Sequence, residues 1–380
     1  MQTADVVIAG GGVMGCALAY QLARRGQQVV LVERAELGSQ STGKCAGGVR
    51  QQFSNQTNVH LQQLAVRLLK DFEGEVGTPA DFKQIGYLFV LTTPGLVADF
   101  QAMVEMWHRS GLAEARWVGP AEIAELSPIL NVQDVLGGTY CPTDGIAGPA
   151  EVTSGYAAAA RRHGARIREG TAITGVSLEG GKVVGVSTTE GEISAPILFN
   201  CAGAWAGEIG AMAGVEVPVK PYRRHIFVSD SFSQVGRENP FVVDFETSFY
   251  FHPEGDGVLF GMSDREEPST FNTEVRWDFL ERVVDEASRR APALEQATVR
   301  AAWAGLYETT PDHQPILGPV DEVPGLWCAC GFSGHGFMQA PAVGLVLAQM
   351  VCGEEPAVDI SPFAHRRFAA GGLVRERNVI

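Results

Sequence analysis

An α/β fold with a parallel sheet at its start is predicted by three neighbouring features. They are an apolar run at 6–9 (Val-Val-Ile-Ala), a glycine turn leading into a helical run at 10–24, and a second apolar run at 29–32 (Val-Val-Leu-Val). Short, continuous β-branched runs suit strands buried on both faces, as in a parallel sheet. Ala17, Leu18, Leu22 and Ala23 fall on or near one face of the intervening helix, and Gly26 ends it. The 380 residues correspond to two or three lobes at about 100–200 residues each.

Composition narrows the class. With 45% hydrophobic and 19% charged residues the chain is not disordered, and no run approaches the roughly 18 apolar residues of a membrane span. Twenty-nine basic against 44 acidic residues leave a net charge of −15, which argues against a nucleic-acid partner and for a small-molecule protein. Seven cysteines at irregular spacing, with no CxxC, argue against a disulfide framework and against a zinc or other metal site. Free thiols, and the lack of a basic, apolar leader before the first strand, set the expectation of a cytoplasmic protein.

Gly10, Gly12 and Gly15, with Val13 and Met14 between, fill the positions of G-x-G-x-x-G. The first glycine permits a tight turn, the second lets backbone approach a pyrophosphate, and the third lets helix and strand pack closely. The helix N-terminus offers unpaired N–H groups to phosphate. Glu33 closes the second strand, where it can accept from ribose hydroxyls, and Arg34 follows it. The glycine pattern alone is weak; placed between strand and helix and followed by a terminal carboxylate, it predicts a Rossmann-like dinucleotide site. A second loop rich in glycine and hydroxyls follows at 41–53, with Ser41, Thr42, Lys44, Ala46, Gly47, Gly48 and Arg50. A nicotinamide-binding chain would proceed here to another βα unit, whereas an extended cofactor lying on backbone favours FAD.

Further elements follow in order. The stretch 151–162 reads as a helix ended by Gly164, and 165–168, 182–188 and 196–201 read as strands, with Gly180-Gly181 as a turn. Scattered aromatic and β-branched residues between 227 and 260 read as a sheet, and 336–350 as an apolar helix.

Three later motifs add to the first two: Asn200-Cys201-Ala202-Gly203-Ala204-Trp205, Trp303-Ala304-Gly305-Leu306-Tyr307 followed by Thr310-Pro311-Asp312-His313, and Gly331-Phe332-Ser333-Gly334-His335-Gly336-Phe337-Met338. In this order and spacing the chain resembles the D-amino-acid-oxidase-like flavoproteins, within them the sarcosine oxidase β subunit and L-proline dehydrogenase β subunit group. The resemblance implies an FAD domain at 1–80, 146–220 and 314–380. It implies a substrate domain at 81–145 and 221–313, built on a mostly antiparallel sheet. It adds Ile173, Ala202, Gly203, Trp205, Gly305, Gly331, Gly334, His335, Gly336, Phe337 and Met338 to the cofactor-binding candidates. Arg50, Tyr250, His252, Tyr307 and His335 become the catalytic candidates; alternation places Tyr250 and His252 on one face of a strand.

The implied activity is dehydrogenation of the C–N bond of a small amino acid or secondary amine. Open alternatives are a 2-hydroxy-acid or glycerol-phosphate dehydrogenase, and a β-type subunit relaying electrons within a hetero-oligomer. The chain departs from related oxidases at three positions. Gly305 replaces the cysteine that forms a flavin thioether, so the FAD is expected to be non-covalent. Met338 replaces a lysine that helps hold the substrate carboxylate. Leu259 aligns near a lysine credited with activating oxygen, which favours a dehydrogenase with another electron acceptor. The segment 148–150 has no histidine for a covalent FMN.

Overall fold

The computed structural model describes residues 2–380, apart from the side chain of Ala370. Val6–Ala9 and Val29–Val32 pair in parallel at the centre of a six-stranded sheet. Its strand order is Ile316–Pro319, Leu326–Cys330, Ile197–Asn200, Val6–Ala9, Val29–Val32, Arg166–Arg168. Only the edge strand Ile316–Pro319 runs antiparallel to its neighbour. The two central strands are buried at every position, as their unbroken apolar sequences require. Lys182–Thr188 lies outside this sheet, in a small four-stranded one with Gln2–Thr3, Gly191–Ser194 and Ile173–Glu179.

An eight-stranded sheet runs in the order Val299–Thr309, Lys220–Ser229, Gly257–Met262, Phe249–Glu254, Phe241–Asp244, Tyr87–Leu91, Gly137–Cys141, Arg116–Val118. Its pairs are antiparallel except Phe241–Asp244 with Tyr87–Leu91. The short pair Gly48–Val49 and Gly145–Ile146 lies apart from the large sheets.

Helix Val13–Ala23 is buried along its whole length. It packs against helices Pro149–Arg162 and Gly336–Val351, so no face is left to solvent. Glycine makes these approaches possible. A Cβ on Gly344 would lie 3.0 Å from the Cβ of Ala17, and a Cβ on Gly15 would overlap the carbonyl oxygen of Gly10. That oxygen belongs to the turn and cannot move without dismantling it.

Gly15→Ala therefore sets two effects against each other. Alanine improves helix propensity by about 1 kcal/mol, whereas the overlap with backbone forces strand and helix apart. The overlap should win, lowering the melting temperature by several degrees and leaving the purified protein depleted of flavin. Gly26→Ala, where φ is +83° and nothing lies within 4 Å, should cost only about 1–2 kcal/mol and keep the flavin. Thermal melts and flavin-to-protein absorbance ratios read both effects.

Candidate active site

The C-terminal ends of the parallel strands and one face of the eight-stranded sheet border a single cavity of about 430 Å³. At one end, Glu33 accepts hydrogen bonds from the backbone N–H groups of Gly11 (2.7 Å) and Ala35 (2.8 Å). Each carboxylate oxygen keeps a lone pair for a further donor. The guanidinium of Arg34 lies 3.8 Å from the centre of the Trp205 ring, which stacks on Phe271.

The glycine turn forms the floor. Gly10 has φ +109°, and a Cβ there would collide with the Cys201 carbonyl. Gly12 is free of close backbone neighbours, its nearest contact being the Thr42 hydroxyl. Thr42 Oγ1 accepts from the Val13 N–H (3.1 Å) at the start of the helix. The loop 41–48 is tied to strand Val299–Thr309 by the Ser41 hydroxyl donating to Leu306 O (2.7 Å) and Trp303 Nε1 donating to Lys44 O (3.1 Å). A Cβ on Gly305 would lie 3.0 Å from the Lys44 Cβ, so this loop approaches through the gap the glycine leaves.

The other end is built around a buried cation. Arg50 is 1% exposed. Its Nη1 donates to Gln52 O (2.6 Å), and its Nη2 donates to Asn378 O and to Nε2 of His335 (2.9 Å). Its guanidinium lies 4.3 Å from the Phe53 ring centre. Because Nε2 accepts, the His335 proton resides on Nδ1. Burial, and secondarily the Arg50 charge, hold His335 well below its ordinary pKa, so the ring is neutral. Ser333 and Gly334 take φ +53° and +96°, and a Cβ on Gly334 would strike the Tyr307 ring. This turn delivers the N-terminus of helix Gly336–Val351 to the cavity, where its first N–H groups lack intrahelical acceptors.

Of the residues singled out in the sequence, Gly10, Gly12, Val13, Met14, Glu33, Arg34, Ser41, Thr42, Lys44, Ala46, Gly47, Gly48, Arg50 and Ile173 line this cavity. So do Ala202, Gly203, Trp205, Tyr250, Gly305, Tyr307, Gly334, His335, Gly336, Phe337 and Met338. Three do not. Gly15 and Gly331 act one layer back: a Cβ on Gly331 would press into Thr310 and Val219. His252 shares a strand face with Tyr250, as alternation requires, but sits behind the cavity wall. Its Nε2 lies 3.0 Å from Ala46 O, Nδ1 lies 2.9 Å from Pro253 O, and Phe241 stacks on it. Burial lowers its pKa to about 4. The structure thus places it against backbone and the Phe241 ring, outside the cavity lining. Leu259 is also behind the wall, clustered with Ile226, Val228, Ala46 and Tyr250.

The cavity includes Arg224, Glu308 and Tyr87, which sequence reasoning missed. Burial pushes the Glu308 carboxyl up to about 7, partly countered by the Phe332 N–H. Arg224 stands opposite Gly305 across a strand pair. Ile226, two residues on, also lines the cavity, so period-two alternation along the strand would have found it once that register was known.

A family model for FAD dependent oxidoreductases, DAO, matches residues 5–350. Sarcosine dehydrogenase, mitochondrial, from Mus musculus is 31% identical over 387 residues, which is 96% of this chain and 41% of that protein. Dimethylglycine dehydrogenase, mitochondrial, from Homo sapiens is 32% identical over 390 residues, which is 96% of this chain and 44% of that protein. The chain thus spans less than half the length of these two relatives. The crystal structure of L-proline dehydrogenase from P.horikoshii superposes with a TM-score of 0.93 at 33% identity, covering 98% of this chain and all of that one. An open glycine turn at a helix start, an oriented carboxylate at the end of the second strand and a match over most of the sequence agree: the chain belongs to the DAO family of FAD-dependent oxidoreductases.

Proposed function

We propose that this enzyme dehydrogenates the C–N bond of a small amino acid or secondary amine, of the sarcosine, proline or glycine type. One observation carries the reading. The dinucleotide-type turn at Gly10–Gly15 and the end lined by Arg50, His335, Tyr307 and Tyr250 open into one continuous cavity. The names of the relatives, sarcosine, dimethylglycine and L-proline dehydrogenases, support the substrate class.

Bound FAD supplies the hydride acceptor. The chain does the rest. Glu33 would accept from the ribose, Gly10, Gly12 and the helix N-terminus would receive the pyrophosphate, and the N–H groups of residues 334–338 would stabilise negative charge gained by the flavin. Arg50 and neutral His335 border the reacting end. The substrate amine must be neutral to release a hydride. The buried guanidinium of Arg50 disfavours an ammonium beside it and so lowers the amine's pKa. The imine product then hydrolyses.

The proposed division into an FAD domain (1–80, 146–220, 314–380) and a substrate domain (81–145, 221–313) is supported by strand membership. The six- and four-stranded sheets draw only on the first set, and the eight-stranded sheet draws on the second apart from Lys220 at a strand start. A reducing compartment, proposed as the cytoplasm, is supported by seven free cysteines. Among the described residues no helix is long and apolar enough to cross a membrane.

Mixing the purified holoenzyme anaerobically with a panel of amino acids, N-methyl amino acids and 2-hydroxy acids tests the reaction. Bleaching of the oxidised flavin band by an amino acid or amine is expected. Bleaching by hydroxy acids alone would transfer the assignment to C–O chemistry.

The FAD is proposed to be non-covalent, since Gly305 carries no thiol and Lys44 lies against it. Acid precipitation should release the yellow chromophore into the supernatant; colour retained in the pellet would contradict this.

An acceptor other than oxygen is proposed on the support of the relatives' names, Leu259 lying outside the cavity. Arg50 and Arg224 still place positive charge in the cavity, so the question is kinetic. In stopped flow, anaerobically reduced enzyme should be reoxidised at least tenfold faster by an artificial dye than by air. Equal rates would restore the oxidase assignment. Leu259→Lys should not accelerate air reoxidation, because an amine among Ile226, Val228 and Tyr250 would be desolvated and neutral.

A further inference from the structure

We propose that Arg224 anchors the carboxylate of an α-amino-acid substrate, and so makes the enzyme select amino acids over simple amines. This rests on the C–N dehydrogenation reading and names the recognition element within it. The cavity holds two guanidiniums, Arg50 and Arg224, and among the described residues neither has a carboxylate within 4.0 Å. They differ in what the protein already asks of them. The terminal nitrogens of Arg50 are engaged with Gln52 O, Asn378 O and His335. Arg224 gives one terminal nitrogen to Arg223 O (2.9 Å), and its Nε is buried with no partner. A buried N–H left without an acceptor is costly, more so on a charged group.

The two carboxylates nearest to Arg224 in charge interaction are committed elsewhere. Glu267 pairs with Arg223 and Arg276, and Asp264 pairs with Arg276 and Arg282, so two carboxylates serve three other guanidiniums. Burial pushes the Arg224 pKa below its ordinary value, against the raising effect of Tyr307, Glu267 and Asp264. The Nε and the free terminal nitrogen form a planar fork that matches a carboxylate in bidentate fashion. Tyr307, whose ring centre lies 5.2 Å from the guanidinium carbon, orients the fork, and Tyr250 lines the same end. Met338 offers no cation of its own. An amine without a carboxylate would leave the Arg224 fork unsatisfied.

The holoenzyme can be titrated with pyrrole-2-carboxylate and with pyrrole-2-carboxamide, following perturbation of the flavin spectrum. The wild type should prefer the carboxylate. Arg224→Met should weaken carboxylate binding by about 10- to 100-fold at unchanged FAD content, leave carboxamide binding within about twofold, and be partly rescued by Arg224→Lys. Arg50→Met should disturb carboxylate affinity far less. Wild-type carboxylate affinity in Arg224→Met, a larger loss in Arg50→Met, or no carboxylate preference in the wild type would each overturn the assignment. If Arg224→Met cannot retain flavin, Arg224→Lys and the wild-type preference decide. The two readings fail separately. Arg224-dependent carboxylate binding without bleaching by any amino acid or amine sinks the C–N reaction and keeps the anchor. Equal bleaching by proline and pyrrolidine keeps the reaction and sinks the anchor.

Discussion

The close approach of helix Val13–Ala23 to the strand ends beneath it is the constraint on which the molecule turns. Gly10 sits where a side chain would strike the Cys201 carbonyl, and Gly15 where one would strike Gly10 itself. Together they let the helix start directly over the sheet, with its N–H groups facing the cavity. The same helix is the bed for Gly336–Val351, docked through Gly344 against Ala17. The second helix therefore brings its own N-terminus to the far end of the same cavity. One packing arrangement sets both ends of a site that must hold an elongated ligand.

The reacting end is secured by buried carboxylates rather than by apolar packing alone. Asp144 accepts from the Gln51 N–H and side chain (both 2.9 Å) and from the Gln52 side chain (3.1 Å). Burial raises its pKa to about 6, against the lowering effect of those donors. Glu376 accepts from the Ser54 N–H (2.8 Å) and the side chains of Asn55 (2.7 Å) and Asn58 (3.0 Å). Arg50 is thus held between a loop pinned from one side by Asp144 and a C-terminal segment pinned from the other by Glu376. Its charge is compensated by backbone carbonyl dipoles and a neutral imidazole, with no carboxylate within 4.0 Å among the described residues. Such a cation keeps its field for whatever enters the cavity.

How much of this was legible in the sequence depended on how local each signal is. The turn at Gly10–Gly15, the loop 41–48 and the run 331–338 are backbone devices, written in consecutive residues whose conformation glycine permits, and Glu33 follows the first of them at a strand end. All were readable. The long helices Gln56–Lys70, Pro94–Arg109 and Trp277–Arg290 were not assigned from the sequence. His252 shows a different limit. Alternation correctly placed it on the face of Tyr250, but depth along the strand put Ala46 between it and the cavity.

Composition and the ordered motifs determined the parallel-sheet start, the flavin-binding turn and the family's general chemistry. Those depend on contacts within a few residues or on patterns repeated along the chain. Tertiary structure decided which charged side chains line the cavity. Arg223 and Arg224 are adjacent and chemically identical, yet one is paired with Glu267 on the far face and the other opens into the cavity. The pairing of Arg224 with Gly305, some eighty residues later, separates them. In a strand a shift of one residue reverses every side chain, so such an assignment exists only once the sheet has formed.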